Sequence, residues 1–231
     1  MKRGFVKMKN ISVAIDGPAG AGKSTISKVV AKTLGLIYVD TGAMYRAVAL
    51  YAIQNGMDTK NADGALEKSL DKISIDIAYQ DGEQHIFLNG EDVSGIIRTP
   101  EVSMGASNVA TLPCVRLKLV ELQREIAKKQ SVIMYGRDIG TYVLPSADIK
   151  IFLTASVEAR AKRRHKELIE KGTSVSYEEV LLDMQKRDLN DSTRAFAPLK
   201  QADDAVLIDT TEYDFDASVD KILSHIKENM K

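Results

Sequence analysis

An α/β fold, a parallel sheet covered by helices, is predicted by three observations. Short β-branched runs alternate with helix-period stretches, a glycine-rich loop stands between the first run and the first helix, and further charged or glycine-bearing loops follow later runs. The 231 residues, 44% hydrophobic and 28% charged, suit one core or one core with an inserted lobe. Thirty-two basic residues balance thirty-two acidic ones. No global field therefore directs the chain to nucleic acid or a membrane surface, and a small ligand is expected. Cys114 is the only cysteine, which excludes an intrachain disulfide and a cysteine-rich zinc site and suits a reducing compartment, so a cytoplasmic location is expected. Lys2, Arg3 and Lys7 imitate the basic start of a signal peptide, but the apolar stretch after them is short and is broken by Asp16. No apolar run approaches bilayer length.

The first strand-like run, 11–16, leads into Gly17-Pro18-Ala19-Gly20-Ala21-Gly22-Lys23-Ser24, a phosphate-binding loop in its strand-to-helix setting. Ile26, Val29, Val30 and Leu34 then recur at helical spacing. Glycines let backbone N–H groups turn inward around phosphates, and the helix start adds the positive end of its dipole. Lys23 is placed to reach the β- and γ-phosphates, and the Ser24 hydroxyl to ligate Mg²⁺. Gly17 through Thr25 is thus the candidate triphosphate-binding segment, with ATP and Mg²⁺ implied; a glycine turn without ligand is the plain alternative.

The second run, 37–40, precedes Asp40-Thr41-Gly42-Ala43-Met44-Tyr45-Arg46, at the sheet edge where α/β proteins bind ligands. Arg46 suits a phosphate; alternatively Thr41 caps a helix and Arg46 lies on its solvated face. Between 60 and 112 the pattern changes. Residues 73–79 alternate apolar and polar, Asp81-Gly82 offers a hairpin turn and 84–88 returns, which predicts an inserted antiparallel unit. Pro113 then opens a long helix with Val115, Leu119, Leu122 and Ile126 along one face, ending in Lys128-Lys129.

The third run, 132–135, precedes Gly136-Arg137-Asp138-Ile139-Gly140-Thr141. Arg137 offers a planar fork for phosphate and Asp138 an acceptor for an amino group, against the alternative of a purely structural ion pair. After the run 149–153 come charged helical stretches at 156–171 and 176–191, joined by a turn at Gly172. Arg160, Arg163 and Arg164 share one face, and Arg187, Asp191 and Arg194 follow at i, i+4 and i+7 before Pro198. These two elements either close over polyphosphate or present solvated faces with local ion pairs. The run 205–209 and an amphipathic helix over 216–230, with Val219, Ile222, Leu223 and Ile226 inward, close the chain; no repeat is evident. Phosphoryl transfer through a loose transition state depends on alignment and charge, so no general base is required.

The ordered segments Ile15 through Ser24, Asp40 through Arg46, Asn89-Gly-Glu-Asp-Val-Ser94, Gly136 through Gly140, Arg187 through Arg194 and Ala197-Pro-Leu199 resemble the bacterial-type cytidylate kinases, within the nucleoside monophosphate kinases. The resemblance covers nearly the whole chain. It implies a single P-loop nucleoside monophosphate kinase domain with an inserted monophosphate-binding lobe near 60–112 and a helical lid near 156–194. It further implies transfer of the ATP γ-phosphoryl group to CMP or dCMP with Mg²⁺, in pyrimidine nucleotide metabolism, by a monomer without nucleic-acid or membrane partners. Position by position, it assigns cytosine recognition to Ser107, Arg116 and Asp138, the monophosphate to Arg46 and Arg137, and the neighbourhood of the sugar and its phosphate to Thr41, Arg187 and Asp191. Arg194 bridges toward the transferred group, and Arg163 belongs to the lid and contacts the nucleotide. Lys23, Arg137, Arg187 and Arg194 are the catalytic set. Uracil has an oxygen where cytosine has its amino group, so an unpaired Asp138 would penalise UMP by a few kcal/mol.

Two positions depart from the family pattern. Thr41 stands where other members have serine, which leaves the balance of CMP and dCMP open. Tyr135 stands where an acidic residue is expected, and a phenol neutral near pH 7 supplies no charge to hold hydrated Mg²⁺ or position Lys23. Reduced activity is therefore a conceivable outcome. Kinases for UMP, AMP or shikimate-like acceptors are rivals among enzymes. A P-loop switch that moves a partner is the rival of another class, although no Asn-Lys-x-Asp guanine-reading motif occurs.

Overall fold

Five short runs pair as one parallel sheet because both of their faces are apolar and helices cover each side. The computed structural model describes residues 10–60, 64–80 and 82–230. Lys2, Arg3 and Lys7, and Asp81 of the anticipated hairpin turn, lie outside the described residues. The sheet strands are β1 (Ser12–Asp16), β2 (Ile37–Asp40), β6 (Val132–Gly136), β7 (Ile149–Thr154) and β8 (Val206–Asp209), in the order β2-β6-β1-β7-β8. Helices α1 (Lys23–Leu34), α5 (Pro113–Lys129), α6 (Val157–Glu170), α7 (Tyr177–Thr193) and α8 (Phe215–Asn229) follow the sequence pattern, each end within two residues of expectation, and α2 (Thr41–Gln54) follows β2.

Alternation along the strands divides the core. Val13, Ile15, Ile133 and Tyr135 pack with Ile26 and Val30 of α1 and Val219, Ile222 and Ile226 of α8. Their neighbours Ala14, Val39, Val132 and Met134 turn to the opposite face, onto Val120 of α5 and Ile139 and Val143. Tyr135 therefore points to the side on which α1 begins. α6 and α7 share a smaller cluster of Ala161, Val180 and Met184, and a capping box between Ser176 and Glu179 starts α7.

The region after α2 contains α3 (Ala65–Ser69), an antiparallel sheet of β3 (Ile75–Gln80), β4 (Glu83–Leu88) and β5 (Glu91–Asp92), and α4 (Pro100–Val109). Residues 73–79 and 84–88 form the expected hairpin, with Gly82 at φ 79°, and β5 adds a short third strand. This small sheet meets the edge strand β2 through side chains. The Gln84 amide accepts from Asp40 N–H at 2.8 Å and donates to Asp40 C=O at 3.4 Å, as a neighbouring strand would. Tyr79 donates to the Tyr38 carbonyl at 2.7 Å, and the Tyr38 phenol accepts from the Gln84 N–H at 2.7 Å.

Gln84→Ala removes the side-chain partner of both the N–H and the C=O of the edge residue Asp40. It is expected to lower unfolding free energy by about 1–2 kcal/mol, read as an earlier urea midpoint with unchanged slope.

Candidate active site

In-register pairing places Asp16 beside Gly136, so the loops after β1 and β6 leave the sheet side by side. The Asp16 carboxylate joins them, accepting from the N–H groups of Ile139 and Gly140, both at 2.7 Å. Those amides open a π-helical turn, Ile139–Val143, whose start bears no side-chain cap of its own. Burial pushes the Asp16 carboxyl up to about 6, against the pull of the two amides.

Gly17 has φ 150°, and a Cβ there would lie 1.9 Å from the Leu153 carbonyl oxygen on β7, so only glycine fits so close to the sheet. Gly22 caps α1 in a left-handed conformation with φ 86°. The buried Lys23 ammonium donates to the Gly17 and Pro18 carbonyls at 2.6 and 2.7 Å. Desolvation, then the charge of Arg137, holds its pKa well below the ordinary lysine value. Ser24 lies on the first turn beside exposed Thr25 and accepts a hydrogen bond from the Tyr135 phenol at 3.0 Å. Burial and the nearby Asp40 charge raise the Tyr135 pKa strongly, so this phenol is neutral at any ordinary pH.

Thr41 is buried at the start of α2 and donates to the Tyr135 carbonyl at 2.9 Å. The cap of that helix is Asp40, which accepts from Ala43 N–H. Its second oxygen lies 4.0 Å from both Arg46 and Arg98.

The densest cluster surrounds Asp138, 6% exposed. One carboxylate oxygen accepts from Arg116 Nη2, and the other from Arg194 Nη2 at 3.1 Å. Arg116 is 1% exposed, its guanidinium 5.7 Å from the Tyr45 ring and 5.6 Å from the Phe196 ring. It also donates to the Ala110 carbonyl, but its buried Nε has no protein partner. Nearby, Arg137 donates to Asp191 at 2.6 Å. Arg160 bridges the P-loop to α7: it donates to the Ala19 carbonyl at 2.9 Å and to Asp188 at 2.6 Å. Asp188 and Asp191 on α7 and Arg194 at its end, spaced three apart, thus meet Arg160, Arg137 and Asp138.

Among the residues singled out from sequence, Lys23, Ser24, Thr41, Arg116, Arg137, Asp138, Asp191 and Arg194 converge around the carboxyl ends of β1, β2 and β6, with Arg46 at the margin. Others point elsewhere. Arg187 pairs with Asp183 at 2.9 Å with about half of each side chain exposed, Arg164 pairs with Glu167, and Ser107 is exposed on α4. Arg163 donates to the Thr210 and Tyr213 carbonyls in the turn after β8. Sequence reasoning did not single out Asp188, Arg98, Phe196 or the two-amide grip of Asp16. Asp188 was recognisable from its place three residues before Asp191.

The cytidylate kinase family model matches residues 13–228. The chain belongs to the cytidylate kinase family. Its relatives include cytidylate kinase from Caldicellulosiruptor bescii, 53% identical over 216 residues that span 94% of this chain and 95% of that protein. Another is cytidylate kinase from Thermosipho melanesiensis, 50% identical over 219 residues, 95% of this chain and 98% of the relative. A solved structure of an uncharacterized protein from Eubacterium ventriosum shares the fold at TM-score 0.51 and 16% identity, covering 95% of this chain and 99% of that one. Family membership makes this chain a kinase that uses ATP.

The raised Asp16 pKa has a definite sign. Above about pH 4 the unfolded carboxyl loses its proton while the folded one keeps it to about 6, so this group's contribution to stability falls as pH rises through that window. Relative to the parent, Asp16→Asn is therefore expected to gain stability between pH 4 and 6.5, on the order of 1–3 kcal/mol, measured by urea unfolding at each pH.

Proposed function

We propose that this cytidylate kinase family member transfers the γ-phosphoryl group of ATP directly to the 5′-phosphate of CMP or dCMP, giving the diphosphate and ADP. The observation that carries the acceptor assignment is the pairing of Asp138 with Arg116 Nη2, beside an Arg116 Nε that has no protein partner. A carboxylate that only accepts, beside a guanidinium that only donates, suits a base edge with a donor next to an acceptor. Cytosine has that edge in its 4-amino group and N3. Uracil reverses both, so the pair would face an oxygen and an N–H.

Backbone N–H groups of the loop from Gly17 to Gly22, Pro18 excepted, cradle the triphosphate, Lys23 exchanges its loop carbonyls for phosphate oxygens, and Thr25 and Arg163 are assigned to the ATP side, Arg163 after leaving the Thr210 and Tyr213 carbonyls. Arg46 and Arg137 hold the monophosphate. Thr41 and Asp191 border the sugar, and Arg187 and Arg194 neutralise charge on the transferred group once α7 closes. Ser107 approaches the base from α4 on the same closure. The Thr41 hydroxyl already donates to Tyr135, which leaves it an acceptor and makes neither sugar obligatory. Among the described residues no group of three or more His, Cys, Asp or Glu side chains offers a protein-built metal cage. The hydroxyl of Ser24 suits Mg²⁺, which takes most of its shell from water and phosphate. When bound, the ion would supply charge neutralisation to the phosphates. The insert at 60–112 serves as the monophosphate lobe and the helical region at 156–194 as the lid, which excludes water from the transfer.

Coupled ADP release with ATP, Mg²⁺ and each of CMP, dCMP, UMP, AMP and GMP tests the reading, and turnover fastest with UMP or AMP would overturn it. Lys23→Ala is expected to lower kcat by roughly 100- to 1000-fold with the fold retained. Asp138→Asn is expected to reduce the CMP-to-UMP ratio of kcat/KM at least about tenfold, and an unchanged ratio would remove Asp138 from base recognition.

A further inference from the structure

Lys150 is a buried cation, 8% exposed, that takes no part in the transfer proposed above. It lies on β7 level with Ala14 of β1 and turns to the same face of the sheet, the face covered by Ile139 and Val143. An ammonium enclosed there needs acceptors. It has the Pro145 carbonyl at 2.5 Å and both carboxylate oxygens of Asp204 at 2.9 and 2.8 Å. Pro145 stands two residues beyond the π-helical turn and Asp204 two residues before β8. Lys150 therefore clasps the loop after β6 to the connection between α7 and β8. An ordinary surface ion pair would leave both partners in water, whereas here the Asp204 side chain is 67% exposed and that of Lys150 only 6%.

The stem of the same lysine supports the turn on its way to these acceptors. A Cβ added at Gly140 would lie 3.2 Å from Lys150 Cδ and 3.4 Å from both Lys150 Cγ and Asp16 Oδ2. Gly140 is thus wedged between the lysine stem and the carboxylate that accepts from its N–H at 2.7 Å. Asp16 fixes where that amide points, and the stem fixes how deep the glycine sits. We infer that Lys150 is a positioning residue for the phosphoryl acceptor: its stem props Gly140 and its ammonium closes the loop from Arg137 to Pro145, which sets the pose of Arg137 and Asp138. The inference rests on the acceptor roles proposed above for those two residues. Charge-assisted hydrogen bonds to a phosphate and to a base edge depend on direction, so a small shift of this loop weakens acceptor binding. The ATP side has its own anchors, since Lys23 is held by the Gly17 and Pro18 carbonyls and Gly17 lies against Leu153.

Lys150→Met keeps an unbranched stem and removes the ammonium. In the chain without substrates, hydrogen exchange of the Ile139 and Gly140 amides is expected to quicken about tenfold in this variant, with the amides of β1 unchanged. The KM for CMP is expected to rise about three- to tenfold, while the KM for ATP and kcat at saturating CMP stay within about twofold. Lys150→Arg, which keeps the charge, is expected to recover most of the loss. Asp204→Asn alters an exposed side chain and decides the matter by the same criteria if Lys150→Met does not fold, with an expected rise in the CMP KM of about two- to threefold. Unaltered exchange at Gly140, an unaltered KM for CMP, equal rises for CMP and ATP, or a loss confined to kcat would overturn the inference. Failure of the unmodified chain to phosphorylate CMP would instead overturn the acceptor reading, and the exchange measurement would still decide whether Lys150 holds the loop.

Discussion

Parallel pairing of β1 with β6, tied off by the Asp16 carboxylate, is the constraint on which the site depends. The register puts Asp16 level with Gly136, and two amide hydrogen bonds then fix the loop that presents Arg137 and Asp138 against the root of the P-loop. A slip of one residue would turn every side chain of β6 to the opposite face. Tyr135 would then leave Ser24, and Met134 would leave the α5 side. Gly17 matters for the same reason: its lack of a Cβ lets the P-loop run against the Leu153 carbonyl, keeping that loop low on the sheet. The raised pKa of Asp16 marks the cost of burying a carboxylate at that junction.

Helix α7 is held over this centre by charge instead of by a large apolar face. Val180 and Met184 are its buried apolar contacts, both in its first half. Its second half relies on Asp188 with Arg160 and Asp191 with Arg137, and the residue that caps it, Arg194, on Asp138. Partly enclosed ion pairs gain little net stability because desolvation cancels much of their attraction. They nevertheless fix geometry: each pair ties α7 to a different part of the site, Asp188 to the P-loop through Arg160, Asp191 to the loop after β6 through Arg137, and Arg194 to Asp138.

The five core strands and the helices between them were legible because each strand is apolar on both faces and ends at Asp, Gly or Thr, while the helices carry a clean 3.6-residue period. The hairpin at 75–88 was legible from alternation and from Gly82. What escaped notice depends on contacts distant in sequence: Asp16 with Ile139 and Gly140, Gln84 with Asp40, Arg160 with Asp188, and Phe196 over Arg116. Local spacing showed that Arg187, Asp191 and Arg194 lie near one another on α7 but not which edge of that group faces the core. The docked face runs through Asp188, Asp191 and Arg194, and Arg187 pairs outward with Asp183. The burial of Arg116 was likewise invisible, since an arginine four residues into a charged helix reads as solvated until Tyr45 and Phe196 are brought around it.

Tyr135 shows how a neutral side chain can suit a position where the family pattern calls for an acid. Asp40 already lies beside it, with Arg46 and Arg98 at 4.0 Å from the Asp40 carboxylate. A second carboxylate at 135 would face Asp40 at short range in a site closed to water, and the two would share a proton instead of both ionising. The phenol avoids that repulsion and still reaches Ser24 with a hydrogen bond at 3.0 Å, so the hydroxyl at the head of α1 keeps a fixed orientation. Asp16, at the end of the adjacent strand β1, faces the same junction and is counted among the charges acting on Lys23. Carboxylates beside the head of α1 are thus carried on β1 and β2, and position 135 supplies orientation without adding another.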